Sequence, residues 1–435
     1  MERFALSRMK EWKENENRKP LIIRGARQVG KTWIMKTFGQ QYFEKTAYVN
    51  FDNNARMKQV FEEDLDIERL VLAISAETGV SIEAENTLII FDEIQEVPKA
   101  LTSLKYFHEN APQYAIVAAG SLLGVALHQG TSFPVGKVDF LDLYPLNFRE
   151  FLCAMGEKQF VSMLDSCDTQ MVTVFKTKYI ERLREYYFVG GMPEVVKDFS
   201  EKKDYNRVRV IQKNLINYYQ QDFSKHAEIK LVPRLNLVWN SIPMQLAKEN
   251  KKYIYGQVRE GSRAKDFELA IQWLLDCGLI HKVQRIQKPD LPLKAYIDFD
   301  AFKLFLVDIG LLIAMTDLDA KVIIEGNKIF TEFNGSLTEQ YILQQLISDV
   351  GVIPYYYSTQ NSKGEIDFLV QGKTSVIPIE VKAEENLKAK SLKAFCEKYQ
   401  PSYAVRTSMS DYREQDWMTN IPLYAIKWIE NYVNQ

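Results

Sequence analysis

The chain has 435 residues and a formal net charge of −2; 46% of its residues are hydrophobic and 26% are charged. These proportions are typical of a soluble globular protein whose domains can each bury a core. The near-neutral net charge excludes an overall positive field that would attract nucleic acid, although local basic patches remain possible. At about 150 residues per domain, we expect about three domains.

The cysteines and histidines indicate neither a disulfide framework nor a zinc site. The four cysteines are scattered without a CxxC pair, and the four histidines have no metal-ligand spacing. We therefore interpret the cysteines as reduced thiols of a cytoplasmic protein. The charged N-terminus does not fit a signal peptide. The apolar stretches 114–127 and 304–315 are shorter than the roughly 20 residues of a membrane span, so no membrane partner is expected.

The first third of the chain alternates predicted strands and helices. Phe4, Met9 and Trp12 form a helical stripe, and strands are expected over 20–24, 46–50, 87–91 and 114–118. This alternation favours a parallel α/β sheet with helices between the strands.

A glycine-rich loop follows the first predicted strand. Residues 25–32 read Gly-Ala-Arg-Gln-Val-Gly-Lys-Thr and fit GxxxxGK[ST], a loop whose backbone N–H groups cradle phosphates. In this pattern Lys31 reaches the β- and γ-phosphates, while Thr32 supplies a hydroxyl to Mg²⁺. The predicted nucleotide-binding residues are Gly25, Ala26, Arg27, Gln28, Val29, Gly30, Lys31, Thr32 and Trp33.

The third predicted strand supplies the acidic half of this site. It ends at Asp92 and Glu93, and ligands of open α/β sheets bind at the carboxyl ends of strands. We expect Asp92 to hold Mg²⁺ and Glu93 to act as general base on the attacking water. Ser121, after the next strand, is a candidate catalytic sensor or else a helix N-cap. Arg149 is a weak arginine-finger candidate, and a surface ion pair is the favoured explanation.

The middle of the chain is predicted to be mostly helical. Residues 146–225 contain one break, at Gly190-Gly191-Met192-Pro193. Helices followed by two strands over 231–300 fit a winged-helix fold, and a long helix is expected over 335–349. Basic residues cluster in this segment, and two interpretations stay open. The cluster is either a DNA-binding surface or the solvated basic rim of a module that packs against other domains. The basic residues are Lys251, Lys252, Arg259, Arg263 and Lys265.

The order of these motifs resembles that of prokaryotic AAA-type ATPases that carry a restriction-endonuclease-like C-terminal domain of unknown function. The resemblance rests on the loop over 25–32, Phe-Asp-Glu-Ile-Gln over 91–95, Ala-Gly-Ser over 119–121, Pro-Leu-Asn-Phe-Arg-Glu-Phe over 145–151 and Gly-Gly-Met-Pro-Glu over 190–194. Lys137 stands where the family often has arginine, and lysine does not replace arginine's bidentate contacts.

The resemblance implies an α/β fold with four parts. They are an AAA-type P-loop ATPase core over 1–145, a helical lid over 146–228, a winged-helix segment over 229–320 and a nuclease-like α/β domain over 321–435. It also implies ATP and Mg²⁺ as cofactors, with a homo-oligomer as a further expectation.

A second candidate site lies in the last of these parts. Asp367, Glu380 and Lys382 fit the D…ExK arrangement of PD-(D/E)xK nucleases, in which paired carboxylates bind Mg²⁺ and a lysine stabilises charge. Glu339, on the preceding helix, matches a further acidic residue of such folds. The alternative is an amphipathic hairpin with Glu380 and Lys382 on its exposed face.

The sequence therefore predicts a Mg²⁺-dependent ATPase coupled to a nuclease-like effector or interaction domain. A nucleotide-gated regulatory or defence switch without nuclease activity is one alternative. An ATP-dependent DNA-processing nuclease is the other.

Overall fold

A computed structural model describes residues 1–120, 134–248, 251–324, 331–359, 364–383 and 389–435. The chain divides into two compact units, Glu2–Tyr144 with Asp276–Leu279, and Pro145–Leu275 with Ile280–Gln435. Each of the boundaries predicted after residue 145 falls inside the second unit, and the four-part division stays a prediction. No helix of the described residues is both long and apolar enough to cross a membrane.

The first unit is built around a five-stranded parallel sheet of order β2-β3-β4-β1-β5. Its strands are β1 (Leu21–Arg24), β2 (Lys45–Asn50), β3 (Thr87–Asp92), β4 (Ala115–Ala119) and β5 (Asp139–Asp142). Its helices are α1 (Ala5–Glu14), α2 (Lys31–Tyr42), α3 (Ala55–Glu63), α4 (Ile67–Thr78) and α5 (Pro98–Asn110). Strands β3 and β4 are buried along their whole length, as expected for central strands covered on both faces. The predicted parallel sheet is therefore confirmed.

The second unit begins with helices. They are α6 (Phe148–Ala154), α7 (Lys158–Asp165), α8 (Thr169–Val174), α9 (Lys176–Val189), α10 (Pro193–Lys202), α11 (Tyr205–His226), α12 (Val232–Leu246), α13 (Tyr255–Val258) and α14 (Ala264–Asp276). The break predicted between 190 and 193 separates α9 from α10. Helices α15 (Ile309–Met315), α16 (Ala320–Ile324), α17 (Thr331–Gln345), α18 (Lys390–Tyr399) and α19 (Glu430–Val433) follow further along the chain.

An eight-stranded mixed sheet forms the core of this unit, in the order β12-β13-β11-β10-β9-β8-β6-β7. Its strands are β6 (Ile280–Ile286), β7 (Ile297–Leu306), β8 (Tyr355–Ser358), β9 (Glu365–Gln371), β10 (Val376–Val381), β11 (Val405–Ser408), β12 (Arg413–Gln415) and β13 (Met418–Pro422). Strands β6 and β7 come from the segment expected to be a winged helix, and β6 pairs with β8. The predicted winged-helix segment and the nuclease-like segment thus contribute strands to one sheet.

The paired glycines between α9 and α10 have a packing role. The backbone N–H of Gly191 donates to buried Asp308 Oδ2 at 2.6 Å, and Asp308 also caps α15 by accepting from Leu311 N–H. A Cβ on Gly190 would lie 2.2 Å from Asp308 Oδ1, and one on Gly191 would lie 2.1 Å from the carbonyl oxygen of Leu146. Only glycine fits these close approaches, so this motif is explained by packing around a buried carboxylate.

Candidate nucleotide site

The glycine-rich loop connects β1 to α2, as the sequence predicts. Gly25 has φ of 146°, and a Cβ there would lie 2.1 Å from the carbonyl oxygen of Leu143. Gly30 caps α2 with φ of 95°, while Gln28 takes φ of 65° without being glycine. The loop therefore has the positive-φ backbone that exposes successive N–H groups to an anion, directly before a helix N-terminus.

Lys31 is folded back onto this loop. Its ammonium donates to the carbonyl oxygens of Gly25 and Ala26, each at 2.8 Å. Burial lowers the pKa of Lys31 to about 8, although the nearby carboxylates of Glu93 and Asp92 act to raise it. The ammonium of Lys31 is therefore bound to the backbone of its own loop. A bound phosphate would replace the two carbonyl oxygens as the partner of this ammonium.

Two contacts to the loop come from residues that its motif does not include. The guanidinium of Arg3 is buried and donates to the carbonyl oxygens of Val29, at 3.0 Å, and Tyr144, at 2.6 Å. Gly278, in the four-residue segment that belongs to this unit, approaches closely enough that a Cβ would lie 3.1 Å from the Ala26 nitrogen. No local pattern marks either residue, because each lies far from the loop in sequence.

Asp92 ends β3 beside Thr32, as predicted. Its Oδ2 accepts the hydroxyl of Thr32 at 2.7 Å and the phenol of Tyr48 at 2.9 Å, while Oδ1 accepts the N–H of Glu93 at 3.1 Å. A hydroxyl and a carboxylate in direct contact next to the phosphate-binding loop are the hard oxygen donors that Mg²⁺ prefers. These residues therefore fit the ion that the sequence implies, and Tyr48 is a member of the site that sequence reasoning missed.

Glu93 follows in a left-handed backbone conformation, with φ of 50°. For a residue other than glycine such a conformation costs on the order of 1–3 kcal/mol, and such strain concentrates at functional sites. The side-chain amide of Gln95 donates to Glu93 Oε2 at 2.7 Å. The Glu93 carboxylate is thus held by a neighbour two residues away, in the turn after β3.

The other residues that the sequence proposes for nucleotide binding or hydrolysis are Trp33, Ser121 and Arg149. Trp33 is 42% exposed at the start of α2, and Ser121 lies outside the described residues. The guanidinium of Arg149 forms ion pairs with Asp349, by two nitrogens, and with Asp165. The favoured ion pair is therefore present, but it is largely buried rather than a surface pair: the Arg149 side chain is 11% exposed.

Lys137, which stands where the resembling family often has arginine, pairs with Glu109 at 3.0 Å. This contact gives Lys137 a partner within the first unit.

The second candidate site is an ion-pair cluster. Buried Glu339, on α17, accepts from Lys251 and lies 3.5 Å from the ammonium of Lys303 on β7. Lys303 is itself buried and also pairs with Glu365. Burial opposes the charge of Glu339, but the two lysines outweigh it and lower the pKa of this carboxyl. Burial and the Glu339 carboxylate raise the pKa of Asp367, which hydrogen-bonds to Glu339.

Lysines therefore neutralise part of the predicted acidic set. Both interpretations of the basic segment, a DNA-binding surface and a solvated rim, place Lys251 at the surface. The structure differs because Glu339 draws the Lys251 ammonium inward, and this side chain is only 12% exposed. Arg259, Arg263 and Lys265 are exposed.

The remaining members of the predicted D…ExK pattern lie at the end of β10. Asp367 Oδ2 accepts the N–H of Val381 at 2.7 Å, and Lys382 pairs with Glu380 at 2.7 Å. Every residue of β10 is buried, including Glu380, so the expectation of one exposed face is wrong. The reason is that α18 packs on β9 and β10. Glu380 Oε2 is buried without a hydrogen-bond partner in the described part of the chain.

Within that same part, no group of three or more Asp, Glu, His or Cys side chains is arranged to hold a metal ion. Metal binding by Glu339, Asp367 and Glu380 stays a prediction.

Comparisons with known proteins agree with the first unit and leave the second unassigned. The family model "AAA domain" matches residues 17–152. Two families described only as domains of unknown function, DUF8612 and DUF4143, match residues 180–322 and 334–426. No curated protein matches the chain.

The solved structures that match this chain are distant from it in sequence. The Walker-type ATPase paby2304 of Pyrococcus abyssi is 14% identical, with a TM-score of 0.45 over 72% of this chain and 95% of its own. The ORC1 protein of Aeropyrum pernix, solved in complex with DNA, is 14% identical, with a TM-score of 0.27 over 72% and 91%. Cdc6p from Pyrobaculum aerophilum is 10% identical, with a TM-score of 0.25 over 74% and 93%. The chain thus carries an N-terminal AAA domain of the P-loop ATPases, followed by two domains of unknown function.

Proposed function

We propose that the protein is a Mg²⁺-dependent ATPase whose nucleotide state controls its C-terminal part. The observation that carries the first half is the contact between Thr32 and Asp92, at 2.7 Å, beside a phosphate-binding loop. A generic glycine-rich loop requires no acidic partner, whereas a nucleotide hydrolase needs one to hold its metal ion.

In this proposal the loop N–H groups and Lys31 bind the phosphates of ATP. Thr32 and Asp92 hold Mg²⁺, which would neutralise charge on the β- and γ-phosphates. Glu93 accepts the proton of the attacking water as the bond to the γ-phosphorus forms and the bond to the leaving oxygen breaks. The side-chain amide of Gln95 donates to Glu93 Oε2 in this structure, so it would orient the carboxylate while Glu93 accepts this proton.

ATP turnover and nucleotide binding together test this assignment. Lys31→Ala removes the charge that binds phosphates, so it is expected to lose nucleotide binding. Glu93→Gln keeps the binding loop intact and is expected to bind ATP but to hydrolyse it about 10²–10⁴-fold more slowly. Turnover that survives both substitutions would contradict the proposal.

For the C-terminal part, the ion pairs of Glu339 favour a switch that acts without cleavage. Two lysines already balance this carboxylate, which weakens its attraction for a cation. A switch of this kind holds ATP as a signal and resets on hydrolysis. We expect slow turnover, tight nucleotide retention and an oligomer size that changes with nucleotide. Size-exclusion chromatography with light scattering, with and without ATP, measures the last of these.

A DNA-processing nuclease is the second candidate, favoured by one observation. Glu380 Oε2 is a buried acceptor that finds no hydrogen bond among the residues described, as expected of a side chain that awaits a ligand. Incubation with DNA, ATP and Mg²⁺ or Mn²⁺ should then give cleavage that Asp367→Ala abolishes. Equal cleavage by both proteins would indicate a contaminating nuclease and end this idea.

A further inference from the structure

The phenol of Tyr48 on the metal-binding carboxylate belongs to none of the motifs above. Strand β2 pairs in parallel with β3, with Asn50 opposite Asp92 and Tyr48 opposite Ile90. Because side chains alternate along a strand, Tyr48 shares a face with Asn50 and hence with Asp92. Tyr48 lies two residues before Asn50 on β2, and its hydroxyl donates to Asp92 Oδ2 at 2.9 Å.

A side chain of helix α2 contacts the ring of Tyr48. The ammonium of Lys36 lies 3.8 Å from the centre of this ring, a close cation–π contact. Lys36 is four residues after Thr32, so both side chains lie on one face of α2. The same helix face therefore places one group on Asp92 and another on the ring of Tyr48.

The hydrogen bonds of Asp92 limit how it can meet a metal ion. An ionised carboxylate offers about four acceptor positions, two on each oxygen. Thr32 and Tyr48 both bond to Oδ2, and the N–H of Glu93 bonds to Oδ1. With three donors in place the carboxylate cannot rotate freely, and one acceptor position on Oδ1 is left for a metal-bound water.

We propose that Tyr48 is a positioning residue for Mg²⁺, which holds Asp92 in the orientation that receives a metal-bound water beside Thr32. This inference rests on the proposed Mg²⁺-dependent nucleotide site but not on hydrolysis. A phenol ordinarily has a pKa of about 10, so this hydroxyl is a donor throughout the neutral range. A purely structural tyrosine would affect stability and leave metal dependence unchanged.

The test measures how much Mg²⁺ strengthens the binding of a fluorescent ATP analogue to the full chain. Tyr48→Phe keeps the ring under Lys36 and removes only the donor. We expect its affinity without metal to equal that of the wild type and the strengthening by Mg²⁺ to fall about tenfold. Tenfold corresponds to about 1.4 kcal/mol, the order of one hydrogen bond to a charged group.

Tyr42→Phe is the matched control, since Tyr42 ends α2, about 15 Å along the helix axis from Thr32. It should leave the Mg²⁺ effect as in the wild type. A Tyr48→Phe protein that gains as much affinity from Mg²⁺ as the wild type would overturn this inference alone. If the affinity of the wild-type protein for the analogue does not change with Mg²⁺, both this inference and the proposed function are overturned. Mg²⁺-dependent binding without ATP turnover would contradict only the proposed hydrolysis.

Discussion

Replacing buried Lys303 with methionine tests the cluster in the second unit most sharply. Methionine keeps most of the apolar stem and removes the charge. Glu339 would then depend on Lys251 alone, and Glu365, whose side chain is 28% exposed, would turn to solvent. Removing one partner of a buried ion pair costs about 3–5 kcal/mol. Since Lys251 stays in place, we expect the lower end, about 3 kcal/mol.

Thermal unfolding followed by circular dichroism measures this loss. In a large unit, one kcal/mol lowers the melting temperature by about 2 °C, so a drop of about 6 °C is expected. The matched control is Lys282→Met, an exposed lysine on the neighbouring strand β6, with an expected loss below about 1 kcal/mol.

A double-mutant cycle with Glu339→Gln separates the ion pair from general packing. The double variant should lose about 1–3 kcal/mol less than the two single variants together, because the two side chains interact. Strict additivity, or a Lys303→Met protein as stable as the control, would refute the reasoning.

Two further predictions concern the loop and the paired glycines. The affinity for nucleotide should fall as the pH rises through about 8, the lowered pKa of Lys31, because phosphate binds the charged form of this lysine and above this pH binding must take up a proton. Titrations of a fluorescent ATP analogue between about pH 7 and pH 9.5 should show this fall in affinity. An affinity that does not change with pH would contradict the prediction. Gly190→Ala should lower the free energy of unfolding by about 2–4 kcal/mol, because its Cβ would lie 2.2 Å from Asp308 Oδ1 and its φ is 74°. Urea unfolding measures this loss, and wild-type stability would refute the packing role.

The nucleotide site was accessible from sequence because its parts are local. A loop directly before a helix and two acidic residues directly after an apolar strand each predict their own geometry. In the parallel sheet the carboxyl ends of the strands lie at one edge, which brings Thr32 to Asp92 without a prediction of individual long-range contacts. Tyr48 was missed because its role depends on which strand neighbours β3, and no short pattern records that register.

The second candidate site shows where such reasoning fails. The spacing of Asp367, Glu380 and Lys382 predicts a hairpin correctly, but spacing along a hairpin does not reveal what packs against it. Helix α18 covers the face that was expected to be exposed. The partners of Glu339 are 88 and 36 residues away, and local sequence carries no information about such distant ion pairs.

The most direct test of the central claim compares Glu93→Gln with Glu96→Gln in steady-state phosphate release at saturating ATP and Mg²⁺. Glu96 lies in the same turn, three residues on and exposed, so its substitution controls for the lost charge. We predict that Glu93→Gln binds ATP as the wild type does and releases phosphate about 10²–10⁴-fold more slowly, while Glu96→Gln stays within about twofold of the wild type. Equal rates for the two variants would contradict the assignment of Glu93 as general base.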